Sequence, residues 1–471
     1  MATRKSMKAA AQVLDPALDN LKKIDHIVIL MMENRSFDHM LGYLTLAGRA
    51  DVDGLDKTMF NMYQPSTGGA PVKVGVQPMV STGMSGFHDP CHAGGCVDQQ
   101  IAQANGGFVQ NYHDSFPADD PGIVMRYFGA KDVPVYDFLA AEFAIGDRWF
   151  SSVLGDTWPN RLYAVSGTAA GSRTGKRVPL YANKSFVRQL DKAKVSWKGY
   201  GDQTHYTIKL ADDNYRSSPN FEPLSGFHDN YGFIHDALVG DLASVSWIDP
   251  HFFKNDDHPT ADVALGQAFV AQVYAALAKS PQWSKTLLVV LYDEHGGFFD
   301  HVQPGPAPDD DPANFGSYGV RVPALFAGGC VDKAQCFKTV WDHTSLIKTI
   351  LLRFCQKDGA IPAMGKRVAE AAHLGEVLSL EQARAAPALP DEAVTSLAQA
   401  QAQAFRDGLA AAPGAATQST DYESYVAATR VNAKKMQAAA RKASKPQVRK
   451  PAATPKKAAT VSRRSGGVRK S

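Results

Sequence analysis

Several absences narrow the possibilities before any motif is read. Only five of the 471 residues are cysteine, too few for a disulfide scaffold in a chain of this length. One pair, Cys330 and Cys336, is spaced to close a small loop, and the spacing leaves open whether it does. No apolar run approaches the roughly 18 to 20 residues that span a bilayer, which argues against an integral helical membrane protein. The opening residues, MATRKSMKAAAQVLDPALDNLKK, are basic but lack the apolar stretch of a secretory signal. The expectation is a cytoplasmic protein by default, with signal-independent export left open. Acid is missing from the far end: residues 431–471 hold 13 Lys or Arg and no Asp or Glu. Taking those 13 charges from the net +3 leaves −10 for residues 1–430.

What is present is ordinary globular material. Apolar residues make up 44% and charged residues 21%, so the chain can bury a large core. The basic stretch is rich in Ala, Pro and Ser, cannot offset its ordering entropy by burial, and is expected to be disordered. Its charge suits accessory contact with polyanions, nucleic acid or anionic lipid. The sequence divides into a lead-in (1–24), one large domain (25–376), an Ala-rich helical extension (377–430) and the basic tail (431–471). Within the domain, short apolar runs alternate with polar turns and amphipathic stretches, the pattern of an α/β protein. His26–Met32 (HIVILMM) and Thr286–Tyr292 (TLLVVLY) read as buried strands, and residues 262–279 and 342–355 as amphipathic helices.

Both strands run directly into oxygen ligands, the first into Glu33–Asn34 and the second into Asp293–Glu294. Binding sites in open α/β sheets form beyond the carboxyl ends of strands. Three carboxylates and an amide there would repel one another unless a cation neutralised them. Read singly, each acidic pair is equally well a solvated strand end; two pairs after two such strands point to a metal. Oxygen donors suit Mg, Ca or Mn and do not exclude Zn. In VLGDTWPNRLYAVSG, Pro159 suits a first helical turn and places Thr157 at a helix N-terminus, where free N–H groups favour an anion. A threonine there is either a plain cap or, beside a metal, a nucleophile. His92, His258, His295 and His301 supply groups that bind phosphate or protonate a leaving oxygen. A rival grouping of Cys91, His92 and Cys96 around zinc has no second ligand pair at ordinary spacing.

Taken together, the segments HIVILMMENRSFDHMLGYL, DPCH, TWPNRLYAVSGT, VSWIDP, DHPTADV, YDEHGGFFDHV and DHTSLIKTI resemble the bacterial phosphoesterase family. That family contains phosphatidylcholine-type phospholipases C and the respiratory-burst-inhibiting acid phosphatase. The resemblance implies an alkaline-phosphatase-like fold, a mostly parallel central sheet flanked by helices with the site at its carboxyl edge. It implies one divalent metal on Glu33, Asn34, Asp293, Glu294 and the Thr157 oxygen, with Thr157 as nucleophile. His92 and His258 fall where relatives contact phosphate, and Asn160, Arg161 and His295 are further candidates for substrate binding. The phosphatase branch also uses an Asp-His pair, for which Asp202, His205, His228 and Asp229 offer no matching motif. The expected activity is hydrolysis of phosphate esters through a phosphothreonine, of acid phosphatase type. Phospholipase C action is the enzyme alternative, needing an apolar mouth to which Trp149, Phe150 and Trp158, expected to be exposed, would contribute. Binding of nucleic acid or anionic lipid through the basic tail is the non-enzyme alternative.

Overall fold

A computed structural model describes residues 15–394, except 85, 177–178, 202–205, 225–230 and 392. The basic tail, the extension beyond 394 and the Asp202, His205, His228 and Asp229 candidates lie outside the described residues. Eight strands form the central sheet: β1 (His26–Met32), β2 (Ala144–Gly146), β3 (Trp197–Gly201), β4 (Phe221–Pro223), β5 (Val245–Ile248), β6 (Thr286–Tyr292), β7 (Ala324–Gly328) and β8 (Gln335–Phe337). Their order is β8-β2-β7-β6-β1-β5-β3-β4. Every neighbouring pair is parallel except the two made by β7. The expected fold class, a mostly parallel sheet flanked by helices, is the one observed.

β1 and β6 are the two runs legible in the sequence, and they lie side by side at the centre. Buried on both faces, they need apolar residues at every position rather than alternation. Leu287, Leu288, Val289, Val290 and Leu291 are all within 1% of complete burial, each contributing about 1.5–3 kcal/mol. Three helices position the site: α1 (Pro134–Glu142), α2 (Thr157–Ser166) and α3 (Val263–Ala278). α3 starts where Asp262 accepts the N–H of Ala264 at 2.9 Å, and it packs on β6 and α1. A further helix, α4 (Thr344–Ile350), packs against α2.

One expectation needs correction and one open question is answered. Residues 379–390, the first part of the expected helical extension, form no helix. Pro387 and Pro390 cannot continue one, and the irregular segment is pinned instead, Leu380 N to Cys330 O at 3.1 Å and Trp283 Nε1 to Arg384 O at 3.0 Å. The disulfide joins Cys91 to Cys96, while Cys330 and Cys336 are free thiols. With both sulfurs bonded to each other, Cys91 and Cys96 are not zinc ligands.

Candidate active site

The register of the two central strands decides what meets at the sheet edge. β1 and β6 pair in parallel from His26 with Thr286 to Met32 with Tyr292, so both chains leave the sheet abreast. Glu33–Asn34 therefore stands beside Asp293–Glu294. Asn34 N donates to Asp293 Oδ1 at 3.1 Å, and Arg35 N donates to Glu294 O at 3.0 Å. Gly296 and Gly297 close the loop after β6, both at positive φ. A Cβ on Gly296 would lie 2.1 Å from Asn34 O, and one on Gly297 2.8 Å from Cys91 O. No larger residue fits, so the glycines bring the loop against both the β1 end and the Cys91–His92 segment.

All four ligand candidates are buried. Arg161, on α2 and fully buried, lies 3.1 Å from Glu33 Oε1, 3.2 Å from Asp293 Oδ2 and 3.2 Å from Asp249 Oδ1. One guanidinium does not balance this much acid. Burial, joined by Asp293, Asp256 and Glu294, raises Glu33 well above the usual carboxylate range despite Arg161. Burial likewise lifts Asp293 to about 6 against the pull of Arg161, with Glu294 adding to the rise. Burial would raise Glu294 too, but His92 and His295 hold it low.

Asn34 Oδ1, Glu294 Oε1 and Asp89 Oδ1, all buried at this edge, have no hydrogen-bond partner, and Glu33 Oε1 has only its ion pair with Arg161. Buried polar atoms are normally satisfied, and exceptions call for a cause. Asn34 is instructive, because its Nδ2 faces His92 Nε2 at 3.3 Å, leaving Oδ1 buried and unmatched. Hard oxygen donors left over in a site with surplus negative charge fit a divalent cation.

Arg161 ties α2 to this cluster from one helical turn beyond the helix start. Thr157 is the first residue of α2, half-buried, and Asp156 precedes it. The Asp156 carboxylate does not cap the helix; it accepts Gly175 N at 2.8 and 2.9 Å. Burial lifts Asp156 to about 6 against the Gly175 hydrogen bond, with His92 lowering and Glu294 raising it.

The Phosphoesterase family model matches residues 24–355, which takes in every element described above. The chain belongs to that family. It is 33% identical over 363 residues to non-specific phospholipase C6 of Arabidopsis thaliana, covering 69% of this chain and 67% of that one. It is 31% identical over 398 residues to phospholipase C B of Mycobacterium tuberculosis, covering 72% and 75%. Among solved structures it is similar to an alkaline phosphatase superfamily protein from Vibrio parahaemolyticus, with 10% identity, coverage of 84% and 97%, and a TM-score of 0.35. As a phosphoesterase the chain is a hydrolase acting on phosphate ester bonds.

In this phosphoesterase two histidines adjoin the carboxylates. His92 and His258 lie with ring centroids 5.9 Å apart, and each directs Nδ1 to a backbone carbonyl, Pro90 O at 2.8 Å and Pro259 O at 2.6 Å. A carbonyl only accepts, so Nδ1 carries the proton and Nε2 is the nitrogen presented to the site in both. His258 Nε2 lies 3.8 Å from Asp89 Oδ2. Burial opposes charging His92, but Glu294 and Asp89 overcome it and push the ring up to about 9.

Other predicted residues are placed differently. Asn160 is fully buried and spends its amide on the loop before α2, accepting Val153 N at 2.8 Å and donating to Gly155 O and Asp156 O at 3.0 Å. His295 is 1% exposed, with Nε2 2.8 Å from Gln100 Oε1 and Nδ1 3.4 Å from Glu294 Oε2. Neither is open to substrate, and Arg161 faces the carboxylates from beneath. All three shape the site from behind. Trp149, Phe150 and Trp158 are buried as well, so the expected apolar mouth is not built from them. Trp149 packs on Trp341 and donates to His343 Nδ1 at 3.2 Å. That bond leaves His343 Nε2 as donor to Asp293 O at 2.6 Å, and burial pulls its pKa down to about 4, keeping it neutral.

The sequence reading missed Asp249, which leaves β5 just as Asp293 leaves β6, and Asp89, three residues before His92. Both lie in segments already singled out, VSWIDP and DPCH, so the signal was present. A second group, Asp38, Asp300 and His301, also has metal-like spacing. It contains its own cation: Arg321 Nη2 lies 3.0 Å from Asp38 and Nε 2.8 Å from Asp300.

Proposed function

We propose that this phosphoesterase acts as a divalent-metal-dependent phospholipase C, cleaving the bond between a glycerolipid oxygen and the head-group phosphorus through a phosphothreonine at Thr157. The observation that carries the reading is the gathering of Glu33, Asn34, Asp293 and Glu294 at one sheet edge, with Arg161, one helical turn beyond Thr157 on α2, paired to Glu33 and Asp293 and with Asn34 Oδ1 and Glu294 Oε1 accepting no hydrogen bond. The names of its relatives support the substrate class.

Glu33, Asn34, Asp293 and Glu294, with the Thr157 hydroxyl, would hold one divalent ion. When bound, that ion makes the hydroxyl more acidic and offsets phosphate charge. The residues do the rest. The uncapped N–H groups of α2 receive phosphate oxygens. The Thr157 hydroxyl gives up its proton to solvent and Oγ1 attacks phosphorus in line, while His258 or His92 passes a proton from Nε2 to the departing lipid oxygen. The same imidazole then takes a proton from water as water attacks the phosphothreonine, releasing the phosphorylated head group, and Oγ1 regains a proton from solvent to restore Thr157.

The burial of Trp149, Phe150 and Trp158 favours a second reading, a phosphomonoesterase of acid phosphatase type that needs no lipid mouth. Both are tested by assaying lecithin, p-nitrophenylphosphorylcholine and p-nitrophenyl phosphate side by side. Turnover of the diesters with little of the monoester supports the lipase; the reverse establishes the phosphatase. Trapping label from a diester on Thr157, lost in Thr157→Ala, tests the covalent step.

A further inference from the structure

One hairpin faces the wrong way for a soluble protein. Its strands, Phe60–Tyr63 and Val72–Gly75, pair antiparallel with Met62 opposite Lys73 and Phe60 opposite Gly75. Alternation ordinarily turns the apolar side chains inward. Here Asn61 is the buried residue, and Phe60 and Met62 point outward, 45% and 43% exposed. Asn61 holds this register: its Nδ2 donates to Asn105 O and its Oδ1 accepts Phe108 N, both at 3.1 Å. A slip of one residue would bury the apolar pair but break both bonds. Val72, opposite Tyr63 and so on the other face of the hairpin, is exposed too, and Val80, five residues past the second strand, is 84% exposed. Phe60 and Met62, two large apolar side chains presented on one exposed face, suit an interaction site.

Charge selects the partner. From Lys57 to His88 there is no acidic residue, in a body that carries −10 outside its basic tail. Lys73 Nζ lies 4.0 Å from the centre of the Phe60 ring, cation and aromatic side by side. A cleft of about 420 Å³ opens beside the same strand, lined in part by Met59, Phe60, Met62 and Phe299. We propose that this hairpin docks the enzyme on a phospholipid surface containing anionic lipid. Fluid acyl chains fill uneven relief, whereas a protein partner needs a matching shape. The protein's own tail is basic and is repelled by lysines. The hairpin is also tied to the active site: Asn105 Nδ2 donates to Asp300 O at 2.8 Å, at the end of the loop that begins with Asp293.

The identity of the partner rests on the phospholipase reading, but binding is measured apart from catalysis. Sedimentation with vesicles of phosphatidylcholine and phosphatidylglycerol, at about 0.15 M salt and with the tail common to every sample, is compared for the full chain, Phe60→Ser/Met62→Ser and the loop variant Val80→Asp. The wild type is expected to sediment, the double variant to bind at least about tenfold more weakly and Val80→Asp severalfold more weakly. Hydrolysis of soluble p-nitrophenylphosphorylcholine should stay the same in all three. Absence of wild-type binding, or equal binding by all three, overturns the proposal. So does a wild-type dimer that the double variant converts to monomer, which would make the face a contact between copies. Failure to hydrolyse any diester sinks the phospholipase reading and leaves the docking result standing.

Discussion

Glu33 and Asp293, at the ends of two adjacent parallel strands, share one guanidinium, Arg161 reaching 3.1 Å to the first and 3.2 Å to the second. Removing it leaves buried carboxylates facing each other. Arg161→Met should lower stability by about 3–5 kcal/mol in urea titrations, the cost of breaking a buried pair by deleting one partner. Excess divalent metal should recover part of that loss by binding only the folded state.

Thr157 separates catalysis from folding. Thr157→Ala should reduce turnover by about a thousandfold or more with the melting temperature nearly unchanged, because the half-buried side chain anchors no packing. Thr157→Ser should retain measurable turnover, since a hydroxyl remains.

His258 is expected to matter in proportion to how badly the leaving group needs a proton. His258→Asn should cost about a hundredfold or more on lecithin, whose leaving alkoxide is strongly basic, and much less on a p-nitrophenyl ester. Equal losses on both would assign the leaving-group proton to another residue.

Chelation tests the ligand set. Dialysis against EDTA should abolish hydrolysis and lower the melting temperature, with readdition restoring both. Elemental analysis of Asp293→Asn should show the metal lost, while Asn61→Ala, far from the carboxylates in the chain and held by Asn105 and Phe108, should keep it.

Away from the site, His301 gives the fold an alkaline limit. Its Nδ1 lies 2.6 Å from Asp38 Oδ2 and its Nε2 3.0 Å from Asp53 Oδ1. Burial works against its charge, but the Asp38 bond and the charges of Asp38 and Asp300 prevail and push it up to about 9. The folded pKa is above that of the unfolded chain, so this stabilisation is full below about pH 6.5 and lost as pH rises through 9. Urea melts from pH 7 to 10 should show a fall on the order of 2 kcal/mol that His301→Gln lacks.

The central strands were readable because burial on both faces forces unbroken apolar runs such as HIVILMM and TLLVVLY. The short strands were not: β2, β4 and β8 have three residues each and take their structure from neighbours rather than from local pattern. Residues 379–390 of the expected extension are not helical because Pro387 and Pro390 interrupt an otherwise alanine-rich stretch. Asn160 and His295 were chosen for side-chain chemistry, but their roles depend on which neighbours consume their hydrogen bonds, Val153 and Gly155 for one and Gln100 for the other. Trp149 was expected outside as part of an apolar mouth, and a two-stranded pairing with Trp341 buries it.

Residue order alone dictated which oxygens follow which strands, since an apolar run must end where polar side chains begin. It also dictated the acidic body, the basic end and the threonine ahead of a helix-starting proline. Folding settled the partnerships. Parallel register put Glu33 beside Asp293, close approach at Gly296 and Gly297 drew in the Cys91–Cys96 loop, and Arg161 came up beneath the carboxylates. Those are contacts between segments distant in the chain, where the deciding quantity is the free energy of a shared buried space and no local preference of any one segment reports it.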